Sequence, residues 1–387
     1  AERAASTKRK RTREKGKPYY DYDLLLVIIF LMCFGLVMLY SSSAYSAQND
    51  YNNDMFFFTR QAIIGIIGFI AMFIVSKIDY HLYGAYAKEF FWFSMFLMAL
   101  VQTPLGKTVN GARRWIRLPG GLSLQPAEFT KIAVILFIAY AICLLGQKAK
   151  KWDGIKILLF YGIIAFLGAY KLTDNLSTAV IILSITVVLI FVVHPKTKPF
   201  VTGVIAVGIV GIIGIICLKY TLAESDNFRM RRIIAWLNPE ANADTDSYQF
   251  LQGLYAIGSG GFFGKGLGNS TQKLHAIPEA QNDMILAVIC EELGVFGAIL
   301  VLCLFAFMLY RLLFIARNAP DLYGSLIATG IFAHIALQVT LNIAVVTGLM
   351  PTTGVTLPFI SYGGTAIVIL LAEMGIALGI SSKIRLK

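Results

Sequence analysis

Ten long apolar runs, separated mostly by short polar connections, dominate the pattern of this chain of 387 residues. A helix needs about 20 mostly apolar residues to cross the hydrocarbon core of a bilayer, within a range of about 17–25. The pattern therefore predicts an all-α polytopic membrane protein with ten transmembrane helices. The predicted spans are residues 24–44, 60–76, 89–104, 127–146, 155–171, 177–193, 200–219, 284–310, 322–347 and 362–380.

These runs divide the chain into a tail and one membrane domain. Residues 1–23 are polar and basic, and we expect this tail to be disordered. Residues 24–387 contain all ten predicted spans, and only the connection over residues 220–283 is long. The first run continues to Ala44, longer than the roughly 7–15 residues of a signal-peptide core, which predicts an uncleaved first helix.

Composition and charge give the predicted spans a direction. Hydrophobic residues make up 57% of the chain and charged residues 14%, against about 25% charged in soluble domains. Of the 34 Lys and Arg residues, 21 fall in the tail and in alternate connections, which places both termini in the cytoplasm. Residues 220–283 then form a long extracellular loop between the seventh and eighth helices. Because the net charge of +12 is spread over short connections, we expect lipid headgroups as partners and no nucleic acid.

Two basic clusters contradict this charge rule, because the predicted topology places them outside. The first cluster follows the third span and the second lies in the long loop. A bound anion would explain both, since guanidinium groups pair with phosphate oxygens in a two-pronged geometry. Pairing with acids of the same loop, such as Asp226 or Glu240, is the alternative. The clusters consist of Lys107, Arg113, Arg114 and Arg117, and of Arg229, Arg231 and Arg232.

Four motifs carry a family resemblance. Residues 109–131 read VNGARRWIRLPGGLSLQPAEFTK, and residues 256–268 read AIGSGGFFGKGLG. Residues 277–294 read IPEAQNDMILAVICEELG, and residues 351–364 read PTTGVTLPFISYGG. Together they resemble the SEDS family of shape, elongation, division and sporulation proteins. The GVTLP sequence within the last motif is most similar to the cell-division branch of that family, and less to its elongation and sporulation branches.

The resemblance implies a function, a location and a set of partners. Members of the family polymerise lipid II, an undecaprenyl-pyrophosphate-linked disaccharide peptide, as peptidoglycan glycosyltransferases of the bacterial cytoplasmic membrane. They work beside a class B penicillin-binding transpeptidase and, in the cell-division branch, with other division proteins at the septum. A lipid II transporter (flippase) and a non-catalytic scaffold for the transpeptidase are the alternatives. No cofactor is expected with certainty, and a requirement for Mg²⁺ or Mn²⁺ stays open.

Asp283 is the candidate general base, because it lies where the long outer loop enters the eighth span. There it could accept the proton of an attacking sugar hydroxyl, and removal from water would raise its pKa toward a useful value. The alternative is a helix N-cap formed by Asn282 or Asp283. Glu279 is the rival acid. The family usually has His-Thr immediately before the aspartate where this chain has Gln281-Asn282, and Asn175 stands where the family often has an acid.

The candidate substrate-binding residues lie around the fourth span. Arg113, Arg114 and Arg117 would bind phosphate, and Trp115 would provide a platform for sugar or isoprenoid unless it only belongs to an interfacial aromatic belt. Glu128 and Lys131 are three residues apart and therefore share a helix face. They either neutralise each other, or Lys131 binds pyrophosphate while Glu128 holds it in place.

The predicted spans also contain several polar and acidic residues. The acids Glu291, Glu292 and Glu373 are either functional or bonded between helices, and His334 and Asn342 are expected to bond neighbouring helices.

The glycine-rich stretch 258–268 lacks the Ser or Thr of a nucleotide-binding loop, so it predicts a tight re-entrant or interfacial turn. The prolines and glycines of 351–364 predict a broken segment covered by protein or water.

Overall fold

The computed structural model describes residues 19–109, 112–117, 123–221, 228–242, 247–273 and 279–385. Thirteen α-helices and three short strands occur in these ranges. The first helices are α1 (Tyr22–Tyr51), α2 (Phe56–Lys77), α3 (Tyr80–Ala85), α4 (Ala87–Leu100), α5 (Pro126–Leu145), α6 (Trp152–Leu167) and α7 (Leu176–Val193). They are followed by α8 (Lys198–Thr221), α9 (Phe228–Leu237), α10 (Tyr248–Gly260), α11 (Ile285–Asn318), α12 (Leu322–Val346) and α13 (Thr365–Ser381). The predicted disordered tail lies almost wholly outside the described residues.

Each of the ten predicted apolar runs coincides with a helix of the structure. Within the described residues, seven helices are long and apolar enough to cross a membrane, namely α1, α2, α5, α6, α7, α11 and α12. The other three runs correspond to α4, α8 and α13. The mostly helical, polytopic membrane fold predicted from the sequence is therefore confirmed.

Helix α5 lies at the centre of the bundle. All of residues 130–139 on α5 are buried, so the helix has neighbours on every face. It packs against α4, α7 and α12. A helix that is apolar all round and enclosed by others holds its few polar groups in fixed positions, and this matters for Lys131, near its start.

The two ends of the described chain lie on the same side of the bundle. The backbone N–H of Tyr19 donates to the carbonyl of Ile384 at 3.0 Å. The Asp21 N–H donates to Ser381 Oγ at 3.2 Å, and the buried Asp21 carboxylate accepts from Arg311 Nη2 of α11 at 2.9 Å. An even number of crossings is the simplest way to return the chain to its starting side, in agreement with the predicted topology.

Part of the connection between α4 and α5 folds into a small antiparallel sheet. Strands β1 (Gly106–Val109), β2 (Ala112–Arg117) and β3 (Ser123–Leu124) pair in that order. Lys107 lies opposite Trp115 in this sheet. The prediction of a plain loop is therefore wrong for this region. It is also wrong for part of residues 220–283, where α9 and α10 form.

Helix α11 is interrupted at Gly294, where φ is 69° and ψ is −165°. A tight turn over residues 261–266 inserts at this point and bonds the backbone groups that the interruption releases. Lys265 N–H donates to the Glu291 carbonyl at 2.9 Å, and Val295 N–H donates to the Gly261 carbonyl at 3.0 Å. The turn predicted from the glycine-rich stretch is therefore present, and it is built into the helix.

Candidate active site

A cavity of about 540 Å³ opens at the end of the bundle away from the chain termini. Arg60 lines it from the beginning of α2, and Thr365 lines it from the beginning of α13, whose other end lies beside Tyr19. In the predicted topology this is the outer end. Its charged lining residues are Arg60, Arg114, Lys131, Arg232, Glu128, Glu279 and Asp283.

Asp283 lines this cavity two residues before α11 begins. Gln249 Nε2 of α10 donates to its Oδ1 at 3.3 Å, and Asn342 Nδ2 of α12 donates to its backbone carbonyl at 2.9 Å. Burial raises the pKa of the Asp283 carboxyl, against the opposing effects of its own backbone amide, of Arg232 and of Gln249. The alternative interpretation as a helix cap is wrong, because Met284 is the N-cap residue and no side chain caps the helix.

Asp283 and Arg114 both lie beside Gly354 of the broken segment 351–364. Gly354 of this segment has a φ of 73°, and a Cβ placed on it would lie 3.9 Å from both Asp283 Oδ2 and Arg114 Nη1. Asn342, which holds the Asp283 backbone, also donates to the Val355 carbonyl at 2.8 Å. The carboxylate, the guanidinium and the segment therefore form one assembly at the cavity wall.

The structure separates the three arginines of the first predicted anion site. Arg114 lines the cavity and donates to the Asp174 carbonyl at 3.2 Å. Arg113 instead donates to the backbone carbonyls of Gln102 and Thr103, at 3.2 and 3.3 Å. Arg117 is exposed at the end of β2, and neither Arg113 nor Arg117 is part of the cavity lining.

Only some of the other residues that line the cavity were predicted from the sequence. Trp115 lines the cavity, and its role as a binding platform stays a prediction. Arg232 of the second basic cluster lines the cavity from α9. Arg60 was missed, because one arginine at the start of an apolar run looks like an ordinary interfacial charge. Arg229 belongs to the part of α9 whose side chains are not described.

Lys131 and Glu128 form an ion pair and also line the cavity, and pyrophosphate binding by Lys131 stays a prediction. Lys131 Nζ lies 2.8 Å from Glu128 Oε2, so the charges neutralise each other. Both side chains nevertheless line the cavity, and Lys131 is only 1% exposed. Lys131 Nζ also donates to Gln338 Oε1 of α12 at 2.8 Å, a contact that the sequence analysis did not predict.

The two family departures are also located at the cavity. Asn175 lines it and caps α7, with its side-chain oxygen accepting from Thr178 N–H at 3.1 Å. Asn282 Nδ2 donates to the rival acid Glu279 at 2.8 Å. The Gln281 carbonyl accepts from the N–H of Tyr362 at 2.9 Å, which ties the approach to Asp283 to the broken segment.

The intramembrane acids Glu291 and Glu292 anchor the outer connection to α11. Lys265 Nζ donates to Glu291 at 2.6 Å, and Thr271 N–H donates to it at 3.1 Å. Glu292 accepts from Lys273 Nζ and from Ser41 Oγ of α1, both at 2.7 Å. Bonding to a loop and to one neighbouring helix thus explains acids that are fully buried.

The third intramembrane acid, Glu373, bonds between helices as one of its two interpretations expected. Its carboxylate lies 2.8 Å from His334 Nδ1, so α13 and α12 are joined inside the bundle. Both side chains are almost completely buried. The interhelical bond predicted for His334 is present. The prediction for Asn342 is wrong, because its side chain donates to the backbone carbonyls of Asp283 and Val355, which lie outside the helices.

The described residues contain no group of three or more His, Cys, Asp or Glu side chains that could hold a metal ion.

Known proteins of the family that the motifs resemble match nearly the whole chain. The sequence profile of the cell cycle protein family that groups FtsW, RodA and SpoVE matches residues 22–386. A probable peptidoglycan glycosyltransferase FtsW from Geobacter sp. (strain M18) is 37% identical over 369 residues, covering 95% of this chain and 98% of the relative. Stage V sporulation protein E from Bacillus subtilis (strain 168) is 41% identical over 377 residues, covering 96% and 98%.

Solved structures share the fold. A chain from a structure titled "Structural coordination of polymerization and crosslinking by a peptidoglycan synthase complex" aligns with a TM-score of 0.76 at 24% identity, covering 94% of this chain and 97% of that one. The rod shape determining protein RodA of Thermus thermophilus aligns with a TM-score of 0.68 at 24% identity, covering 95% and 98%. At these identities the structures support the fold, and the sequence matches supply the family. The chain therefore belongs to the SEDS family, the FtsW, RodA and SpoVE cell cycle proteins.

Proposed function

We propose that this chain is a peptidoglycan glycosyltransferase that polymerises lipid II at the outer face of the cytoplasmic membrane during cell division. The observation that carries the proposal is the meeting of the Asp283 carboxylate with basic side chains in one cavity at a single end of the bundle. The names of its relatives, several of them probable peptidoglycan glycosyltransferases, support the same activity. In this proposal residues 24–387 form one membrane domain that crosses the bilayer ten times. The tail 1–23 and the other terminus lie in the cytoplasm.

The reaction joins two lipid-linked sugars. A hydroxyl of one sugar attacks the anomeric carbon of the other, so that a new glycosidic bond forms while the bond from that carbon to the pyrophosphate oxygen breaks. Asp283 accepts the hydroxyl proton, because its raised pKa makes it a stronger base than an ordinary aspartate. The departing lipid pyrophosphate takes the bonding electrons and gains negative charge.

Cationic side chains stabilise that departing charge. Arg114 lies at the same point of the wall as Asp283, and Lys131 lies in the same cavity. Preorganised donors directed at developing charge are a main source of rate acceleration in enzymes. Glu128 holds Lys131 in place through their ion pair, and Trp115 offers an aromatic face to sugar or isoprenoid.

A class B penicillin-binding transpeptidase is the proposed partner, at the division septum. The similar chain in the solved peptidoglycan synthase complex supports such an assembly. In this chain α9 and α10 are the natural points of action, since Arg232 and Gln249 connect these two helices to the cavity and to Asp283. A partner that moves them would change the surroundings of the base.

Polymerisation of purified lipid II by the detergent-solubilised protein tests the function. Long glycan strands are expected from the wild type and not from Asp283→Asn. Asp50→Asn is the matched control, because Asp50 is exposed at the same end of the bundle and is not part of the cavity lining. Movement of intact lipid II across vesicle membranes without strand formation would support the transporter instead. Strands formed only when a polymerase partner is present would support the scaffold.

A further inference from the structure

A continuous hydrogen-bonded row of buried side chains leads from the cavity wall into the bundle. Lys131 of α5 donates to Gln338 Oε1 at 2.8 Å. His334 Nε2, one helical turn away on α12, lies 2.9 Å from the same oxygen. Glu373 of α13 completes the row at His334 Nδ1. None of the four side chains is more than 6% exposed, and only Lys131 and Gln338 line the cavity.

The chemistry of its neighbours fixes the orientation of the Gln338 amide. An ammonium group can only donate hydrogen bonds and a backbone carbonyl can only accept them. Lys131 Nζ faces one end of the amide, and the Thr356 carbonyl accepts from the Nε2 end at 3.1 Å. Rotating the amide would set two donors against each other and two acceptors against each other.

This orientation also determines the protonation of His334. Because Gln338 Oε1 can only accept, His334 Nε2 must carry a hydrogen. The other ring nitrogen lies 2.8 Å from the Glu373 carboxyl, which holds the ring in place. The pair therefore directs an N–H at Gln338.

The contacts of Lys131 leave part of its ammonium for the cavity. An ammonium group has three donors. Among the described residues, Glu128 and Gln338 are the hydrogen-bonding partners of Nζ. Two donors are thereby held on protein atoms, and the third is available to a ligand that carries an anionic oxygen.

We propose that Gln338 is a positioning residue that fixes the Lys131 ammonium for a pyrophosphate ligand, with the His334–Glu373 pair holding Gln338 in turn. The inference rests on the proposed function, in which Lys131 contacts the lipid pyrophosphate. A lysine stem has four carbons and many rotamers, so a single partner such as Glu128 would not define where the charge lies. Gln338 Oε1, as the second acceptor, fixes the position of the ammonium group. The His334–Glu373 pair behind Gln338 keeps its amide from rotating.

The test is a double-mutant cycle on ligand affinity. Undecaprenyl pyrophosphate without sugar is titrated into the full-length protein in detergent, for the wild type, Gln338→Met, Lys131→Ala and the double variant. If Gln338 acts through Lys131, Gln338→Met weakens affinity about tenfold when Lys131 is present, and less than twofold when it is absent. An equal loss in both backgrounds would mean that Gln338 is only structural.

Gln61 provides a matched control. It is another buried glutamine, and its Nε2 donates to the Ser361 carbonyl of the same broken segment at 3.2 Å, away from Lys131. Whatever Gln61→Met costs in affinity, that cost should be the same with and without Lys131. If Gln338→Met fails to fold, Gln338→Asn keeps an amide but withdraws it by one methylene, and the same cycle applies.

The remaining outcomes separate this inference from the proposed function. If Lys131→Ala weakens affinity and Gln338→Met leaves it unchanged, the positioning role is wrong and the pyrophosphate site stands. If Lys131→Ala itself has no effect on affinity, the pyrophosphate assignment of Lys131 fails, and the positioning role fails with it.

Discussion

The Oδ2 atom of Asp283 lies 3.9 Å from the point that a Cβ on Gly354 would occupy, and Arg114 Nη1 lies at the same distance from that point. Gly354 also has a φ of 73°, a backbone conformation that costs most other residues about 1–2 kcal/mol. Gly354 of the broken segment is thus a neighbour of both the proposed base and the arginine proposed to bind pyrophosphate. A shift of its backbone would disturb both groups.

Gly354→Ala should therefore lower both stability and polymerisation rate. The added methyl group would make ordinary contacts, so the backbone strain and the resulting shift of the segment are the cause. Gly146→Ala is the control, since Gly146 has a φ of 52° and a Cβ there would meet nothing within 4 Å. Thermal unfolding should show a loss for both variants, and a lipid II assay should show a loss only for Gly354→Ala. Equal rates for the two variants would contradict the proposed coupling.

Asp283→Asn should reduce polymerisation by about 10²–10⁴-fold, the usual contribution of general base catalysis. Asp283 must be deprotonated to accept a proton, and its pKa is raised above the ordinary value of 3.8. The wild-type rate should therefore rise with pH through that raised pKa, so that its acid limb lies above pH 3.8. A pH–rate profile checks this, and the residual rate of Asp283→Asn should lack that limb. Retention of more than about a tenth of the wild-type rate by the variant would exclude Asp283 as the base.

Arg114 and Arg117 should differ in their effects. Arg114→Ala should raise KM for lipid II or lower kcat, and Arg114→Lys should restore little, because a lysine cannot form a two-pronged contact. Arg117→Ala should retain nearly full activity, since Arg117 is exposed and is not part of the cavity lining. Steady-state kinetics on lipid II measure all three variants. Similar losses at 114 and 117 would mean that the whole strand, and not the cavity alone, contacts substrate.

The buried His334–Glu373 pair predicts a reversal between single and double variants. Glu373→Leu should destabilise the protein by about 3–5 kcal/mol, because it leaves the buried His334 ring nitrogen without its hydrogen-bond partner. Leu at both positions should recover much of the loss, since apolar replacement of a buried pair is often neutral or stabilising. Thermal unfolding in detergent compares the variants. If the double variant is as unstable as the sum of the singles, the two residues are not coupled.

A cognate class B transpeptidase should accelerate polymerisation by this chain. Ordering of α9 and α10 around the cavity is the proposed cause, and loop ordering is a common way to switch an enzyme. The acceleration should persist when the transpeptidase serine is inactivated, because it depends on contact and not on peptide cross-linking. Strand synthesis with and without the partner measures the effect. An isolated chain that already works at the rate of the complex would contradict the activation and leave the enzyme assignment in place.

The sequence predicted the helices well because the bilayer imposes a length on each apolar run. Asp283 and Lys131 could be singled out because they lie at the outer ends of such runs and within the family motifs. The three strands of residues 106–124 could not, since their polar residues carry no clear alternation and pair only within the folded chain. Nothing in the local sequence separates Arg114 from Arg113, because the choice depends on carbonyls of Gln102 and Thr103 that fold against β2.

The local sequence also does not predict that Gln338 and Arg60 line the cavity. Each is one polar residue near or within an apolar helix, a pattern that equally describes an interfacial charge or a bond between helices. Their place in the cavity results from the packing of α2, α5 and α12. Only the folded structure supplies that arrangement.

The turn inserted into α11 has a consequence for amide hydrogen exchange. The N–H groups of Lys265 and Gly266 belong to the outer connection, yet they donate to the carbonyls of Glu291 and Glu292 inside the helix, each at 2.9 Å. They can exchange with solvent deuterium only when the turn leaves the helix. These two amides should therefore exchange as slowly as those of the helix interior, and a loss of their protection would report the release of the outer connection from the membrane domain.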